Sequence, residues 1–315
     1  MYHYVRDVSQ TPFPAMKALH PSEFDAQLDW LGACCRVLAY GEFADALEAR
    51  RPLQGAALLT FDDGIVDHGE TVMQALGARG WSGVFFLAGM ALDTPPRLLN
   101  VHRAHLLMAH LGAERFAAEV RRLLAADPGH GATAGTPLAQ TSAVYRYDER
   151  RDLDAKHLLN YELPFDVADR LLDRMVAEHL GDEQALARQL YLSGDQIRRM
   201  ADAGMTFGFH TERHRVLSRL DRAAQREELE GGVQKIRALT GQRSVPMCYP
   251  YGHAHTYNAD TIEVLAETGY ACAFNTVRRV ARPECDGRYE LPRFDTRDLP
   301  PFDSGRWAVV NMTAS

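Results

Sequence analysis

The stretch AALLTFDDG, residues 56–64, decides how this chain is read. Apolar and β-forming residues run without interruption from Ala56 to Phe61 and stop at two aspartates and a glycine. A continuous run of this kind fits a strand buried on both faces, as in parallel sheets. Adjacent side chains on a regular strand face opposite ways. Asp62 and Asp63 can therefore serve one site only where the strand gives way to irregular backbone, a freedom Gly64 supplies. Taken alone, DDG reads equally well as a plain turn.

The same pattern recurs along the chain. Apolar runs appear at GVFFLAG (83–89), MTFGFH (205–210), VPMCYPYG (245–252) and YACAFN (270–275), and WAVVN (307–311) reads as a last strand. Helical patterns lie between them: Asp67 to Ala78, Asp221 to Leu239 and Asn258 to Thr268, with Gly241 and Gly269 placed as C-caps. Near the start, Ser22 is the expected N-cap of an amphipathic helix through Phe24, Leu28, Leu31 and Cys35. Strands alternating with helices predict parallel β/α units, whose chemistry gathers at the carboxyl ends of the strands. Asp62-Asp63-Gly64, His210-Thr211-Glu212-Arg213-His214 and Tyr249-Pro250-Tyr251-Gly252 each stand just after such a run.

Two histidines four residues apart share one face if the stretch is helical. Imidazole and carboxylate together suit zinc or a similar divalent ion, and two His with one Asp leave positions open for water and substrate. Without the other motifs, H-x-x-x-H fits a solvated helix end as well.

In this order, TFDDG, HTERH and YPYG resemble the first three motifs of the NodB-type polysaccharide deacetylases, carbohydrate esterase family 4. The similarity covers residues 56–88 and 193–274. It implies an α/β fold, a distorted (β/α)7-type barrel, and a divalent metal, most often Zn2+. It further implies Asp63, His210 and His214 as metal ligands, Asp62 as catalytic base, and the Tyr251 backbone N–H as an oxyanion donor.

Two departures stand out. The family's last strand carries a histidine as general acid, yet residues 292–315 contain none. The opening MYHYV resembles that strand moved to the N-terminus in circularly permuted branches, which makes His3 the candidate acid, with His253 and His255 as rivals. Terminal residues are poorly ordered unless something ties them down, so a frayed tail is the competing reading of His3. The second departure is Cys248, which occupies the position of the family's base-orienting arginine. Arg293 in ELPRFD is the candidate replacement, against an ordinary surface ion pair. Trp307 is too isolated to assign. His68, on an expected exposed helix, and His102, His105 and His110 are set aside as solvated or core residues.

Length and composition bound the rest. The chain has 315 residues, 46% hydrophobic, with net charge -7 and no basic run. That suits one large α/β domain and argues against a nucleic-acid partner. No segment has the length and apolarity of a membrane span. The N-terminus shows no secretory signal pattern, and the five cysteines form no C-x-x-C, so a cytoplasmic, reducing setting is expected. Residues 94–193 read as a helical insertion within a single 1–315 domain, serving as a cap over the site or as a homo-oligomer interface. Within it, DPGHGATAGTPLAQTS reads as a loop.

The resemblance implies metal-dependent removal of an N-acyl group, most often acetyl, from an amino sugar. The expected substrate is a nucleotide sugar or lipid-linked glycan in O-antigen or capsule assembly. The alternatives are an allantoinase-like hydrolase of cyclic amides and ureides, and an inactive glycan-binding relative.

Overall fold

The computed structural model describes residues 1–126 and 156–302. The expected loop at 127–142, the strand at 307–311 and Trp307 lie outside the described residues. Among the described residues there are seven short strands: β1 (Arg36–Val37), β2 (Ala56–Ala57), β3 (Thr60–Phe61), β4 (Val84–Leu87), β5 (Thr206–Phe209), β6 (Met247–Cys248) and β7 (Ala273–Phe274). The last five make one parallel sheet in the order β3-β4-β5-β6-β7. The run Ala56 to Phe61 is thus two strands, because Ala56–Ala57 pairs with Arg36–Val37 instead of with β4.

The sheet curls. Tyr2 forms a parallel bridge to Phe61 on the free edge of β3, and Leu291 forms one to Phe274 on the free edge of β7. These two outer segments meet: the Met1 nitrogen donates to the Phe294 carbonyl at 2.6 Å and the Thr296 N–H to the Met1 carbonyl at 3.1 Å. The result is a distorted (β/α) barrel in which the chain's first residues lie beside the strand that ends in Asp62.

Both faces of the sheet are buried, as the apolar runs require. On one face the Phe61 and Phe85 rings stack at 4.7 Å and Phe207 follows at 5.8 Å from Phe85. On the other, Phe86 packs 5.8 Å from Phe274. Gly208 permits this packing, since a Cβ there would come within 2.5 Å of the Phe86 ring and 2.6 Å of the Pro246 carbonyl.

Several helix boundaries differ from expectation for local reasons. His20, not Ser22, caps the first helix, Pro21–Cys34. Its ring accepts from the Ser22 N–H, Pro21 sits in the first turn, and Glu23 closes a capping box. The Asp67–Ala78 pattern begins with a π-turn, His68–Val72, and becomes α-helical only over Met73–Ala78. The 221–239 pattern is two helices, Arg222–Leu229 and Gly232–Thr240, separated at left-handed Gly231. Gly241 and Gly269 do end their helices in the left-handed conformation.

Between β4 and β5, the helices Asn100–Leu111, Ala113–Ala126 and Phe165–His179 bury a cluster of their own around Leu107, Phe116, Leu171 and Met175. Among the described residues, no helix is long and apolar enough to cross a membrane.

Candidate active site

The carboxyl ends of β3, β5 and β6 and the first residues of the chain converge on the two aspartates. Asp63 has φ of 77° and Gly64 of 66°. The strand therefore breaks at Asp63 itself, which lets both carboxylates face one region. The positive φ favours glycine at 64, and a Cβ there would also crowd a Leu87 methyl at 2.8 Å.

His210 and His214 do meet at Asp63, but not through a helix. Residues 210–214 form no regular element, and Thr211 and His214 hold left-handed φ of 63° and 57°. This backbone folds the two rings to 4.8 Å between centroids. Their Nε2 atoms lie 3.4 Å and 3.5 Å from Asp63 Oδ1. His210 Nδ1 donates to the Cys248 carbonyl at 2.7 Å, which leaves Nε2 as the lone-pair nitrogen facing Asp63. Asp63 Oδ1 is buried and accepts no hydrogen bond. An orphaned buried carboxylate oxygen beside two imidazoles is costly unless a cation completes it, and this donor set fits a divalent metal.

Asp62 is held differently. Arg293 donates from both terminal nitrogens, to Oδ1 and Oδ2, at 2.8 Å each. The guanidinium is itself fixed by the Asn275 carbonyl and Thr60 Oγ1, at 3.1 Å each. Both side chains are buried, so the expected alternative of a surface ion pair does not describe Arg293. Burial alone would raise the Asp62 carboxyl; Arg293 outweighs it and holds the group well below the usual carboxylate range. Cys248 Sγ lies 2.7 Å from the Arg293 guanidinium and 3.5 Å from Asp62. The thiol therefore lies beside the Arg293–Asp62 pair and touches both groups.

His3 is not frayed. Its Nε2 lies 3.9 Å from Asp62 Oδ2, with 38% of the side chain exposed. Its carbonyl accepts from His68 Nε2 at 3.0 Å, and Asp67 accepts from the Val5 N–H at 3.0 Å and the Arg6 Nε at 2.8 Å. His68 is accordingly buried, not exposed, and packs against Phe61 and Phe85. His253 and His255 pair with one another, Nδ1 to Nδ1 at 3.2 Å.

Tyr251 has φ of 62°, followed by Gly252 at 61°. Its ring lies 5.0 Å from His214 and its hydroxyl donates to Asn160 at 2.9 Å. His102, set aside from sequence as solvated or core, is fully buried against Asp63, with Nε2 3.2 Å from Oδ2. Only its presence early in a helix pattern after the strands was legible; its partner was not. His105 lies nearby, 3.5 Å from the Tyr4 hydroxyl, while His110 is exposed.

Residues 171–273 match the family model described as polysaccharide deacetylase. No curated protein sequence matches the chain. Several solved structures share the fold, three of them as follows. The Streptococcus pyogenes deacetylase PplD, solved with acetate, superposes with TM-score 0.55 at 15% identity over 93% of this chain and 89% of its own. IcaB from Ammonifex degensii gives 0.55 at 18% identity over 94% and 90%. The BpsB deacetylase domain from Bordetella bronchiseptica gives 0.52 at 18% over 93% and 92%. At these identities the structural likeness concerns the fold. The family match covers residues 171–273, which carry HTERH and YPYG, so this region is similar to a polysaccharide deacetylase domain, on a chain that shares the fold of solved deacetylases.

Proposed function

We propose that the chain removes an N-acetyl group from an amino sugar within a saccharide, using a divalent metal held by Asp63, His210 and His214. The observation that carries this reading is the unpaired Asp63 Oδ1 between the two Nε2 atoms, beside an Asp62 kept ionised by Arg293. When bound, the metal, most often Zn2+ in this family, would supply Lewis acidity toward the amide oxygen and toward water. Asp62 accepts the proton of the attacking water, and Arg293 keeps it anionic and oriented for that role. The Tyr251 N–H is the donor assigned to the developing oxyanion. The water oxygen bonds the carbonyl carbon, the C–N bond breaks, and the leaving nitrogen takes a proton, for which His3 stands on the open side of Asp62. The products are acetate and the free amino sugar.

His3 beside Asp62 and Arg293 upon it support a working enzyme over a glycan-binding relative. Both supply functions missing from the family positions. The barrel edge formed by Tyr2 supports the permuted reading, since the first and last strands of a barrel are neighbours. A cavity beside Tyr251 is lined by Asn100, His105, Lys156 and Asn160. Apart from Tyr251, its polar and apolar lining, Val101, Ala104, Leu159, Ala168 and Leu172 included, belongs to segment 94–193, which we read as an insertion that walls the site. The substrate class we infer is a surface-polysaccharide precursor of the O-antigen or capsule type.

The test is acetate release from N-acetylated oligosaccharides, lipid-linked glycans and nucleotide sugars, with allantoin as the cyclic-ureide comparison. The metal is stripped with a chelator and restored as Zn2+, Co2+ or Mn2+. Acetate release that disappears with the metal and returns with it supports the reading. Turnover of allantoin alone, or none with any metal, refutes it.

A further inference from the structure

Both ends of segment 94–193 close on Asp63. At the far end, residues 190–192 run antiparallel against the loop that follows Asp63. The Val66 N–H donates to the Leu190 carbonyl at 2.8 Å, the Leu192 N–H donates to the Gly64 carbonyl at 2.9 Å, and Tyr191 bridges Ile65. At the near end, the Leu99 N–H donates to the Tyr191 hydroxyl at 3.0 Å, just before the helix Asn100–Leu111. From the first turn of that helix, His102 Nδ1 meets the same hydroxyl at 2.6 Å. The hydroxyl receives the Leu99 hydrogen and so has its own to give to Nδ1. A carboxylate only accepts, so His102 Nε2 carries the hydrogen directed at Asp63 Oδ2. Leu99, Tyr191, His102 and Asp63 thus form one directed chain, with His102 and Tyr191 both buried.

This chain treats the two oxygens of Asp63 unequally. Oδ2 is satisfied by His102, while Oδ1 is left without a partner between His210 and His214. His102 lies outside the group of ligand atoms that come within 4.8 Å of one another, so it is not placed as a fourth ligand. Hydrogen bonds to the free oxygen of a ligating carboxylate fix its orientation and the number of oxygens it offers.

We propose that His102 and Tyr191 are positioning residues that hold Asp63 as a one-oxygen metal ligand. The helical segment would then complete the metal site as well as wall the substrate. This inference rests on the metal reading of Asp63, His210 and His214.

The test is the affinity of the full chain for Zn2+ and Co2+, measured by chelator competition, together with the visible spectrum of bound Co2+, which responds to coordination number. His102→Leu is expected to weaken metal binding about 10- to 100-fold and to change the Co2+ spectrum, as Asp63 becomes free to offer both oxygens. His102→Gln places an amide N–H near Nε2 and is expected to restore most of the affinity and the original spectrum. Tyr191→Phe should weaken binding less, and its effect should be non-additive with that of His102→Leu because both act through one atom. Thermal unfolding of each variant checks that it is folded, and His102→Gln and Tyr191→Phe keep the test decisive if His102→Leu is not. Metal affinity and Co2+ spectrum unchanged in His102→Leu, or in Tyr191→Phe together with a His102→Gln that fails to bind, overturn the proposal. If instead His214→Ala binds metal as tightly as the unaltered chain, the metal site itself is wrong and this inference falls with it.

Discussion

Arg293 grips Asp62 through two parallel hydrogen bonds of 2.8 Å, although 231 positions separate them. Charge-assisted bidentate pairs of this kind fix geometry as well as charge. Asp62 therefore has its orientation and ionisation set by the fold itself.

Removing that grip has a calculable sign. Burial raises the Asp62 carboxyl and Arg293 lowers it, with the lowering dominant. In Arg293→Leu burial remains and the largest lowering cause is gone, with only the weaker influence of His210 and His3 left to oppose it. The carboxyl should then protonate at higher pH, and the acid limb of kcat/KM against pH should move upward. Breaking a buried pair by deleting one partner also costs about 3–5 kcal/mol. Arg293→Lys keeps the charge, loses the fork, and should lower kcat at least about 10-fold with a smaller pH shift. A pH–rate profile unchanged in both variants would separate Asp62 from the base role.

An arginine at position 248 and the arginine at 293 are expected to be mutually exclusive solutions to one problem. The thiol sits 2.7 Å from the guanidinium. Cys248→Arg alone places two buried cations on one carboxylate and should destabilise the fold by several kcal/mol, on the order of a buried unpaired charge. Cys248→Arg combined with Arg293→Leu should be more stable than either single variant. Urea midpoints of the four proteins measure this coupling; additive effects would contradict it.

For His3, the expected outcome is loss of turnover with the metal retained. His3→Gln should lower kcat about 100-fold or more, the usual scale for a general acid, while Zn2+ affinity stays near that of the unaltered chain. Full activity in His3→Gln returns the acid role to His253 or His255.

His68 gives a prediction about stability. Burial pushes its imidazole down from 6.5 to about 4. Between those values the unfolded chain binds the proton and the folded chain does not, so stability rises with pH there and is lost as pH falls from about 6.5 to about 4. The full loss is on the order of 3 kcal/mol. His68→Phe removes the titration and also the hydrogen bond to the His3 carbonyl. It should be less stable than the unaltered chain at pH 7, and that gap should shrink or reverse by pH 4. Parallel pH curves of unfolding free energy for the two proteins would rule the account out.

The sheet and the chemistry at its strand ends were legible because each depends on contiguous residues. Apolar runs buried on both faces announce parallel strands, and Asp62, Asp63, His210 and His214 follow them directly. Boundaries were less legible where a local competitor prevails: the His20 cap with Pro21 after it, or the break at left-handed Gly231. The HTERH spacing suggested a helix, whereas left-handed Thr211 and His214 bring the rings together. Four residues can be spanned by either backbone, and spacing does not distinguish them.

By itself the sequence determined the strand-end motifs, the α/β class and the candidate ligands, since periodicity and neighbouring residues suffice for these. Only the tertiary structure decided which distant residues serve the two aspartates. It set Arg293 and Cys248 on Asp62, tied His3 down through His68 and Asp67, and brought His102 and Tyr191 to Asp63. These partners come from segments far apart in the chain. Their hydrogen bonds exist only once the sheet has curled and the helical segment has packed, so no local pattern encodes them.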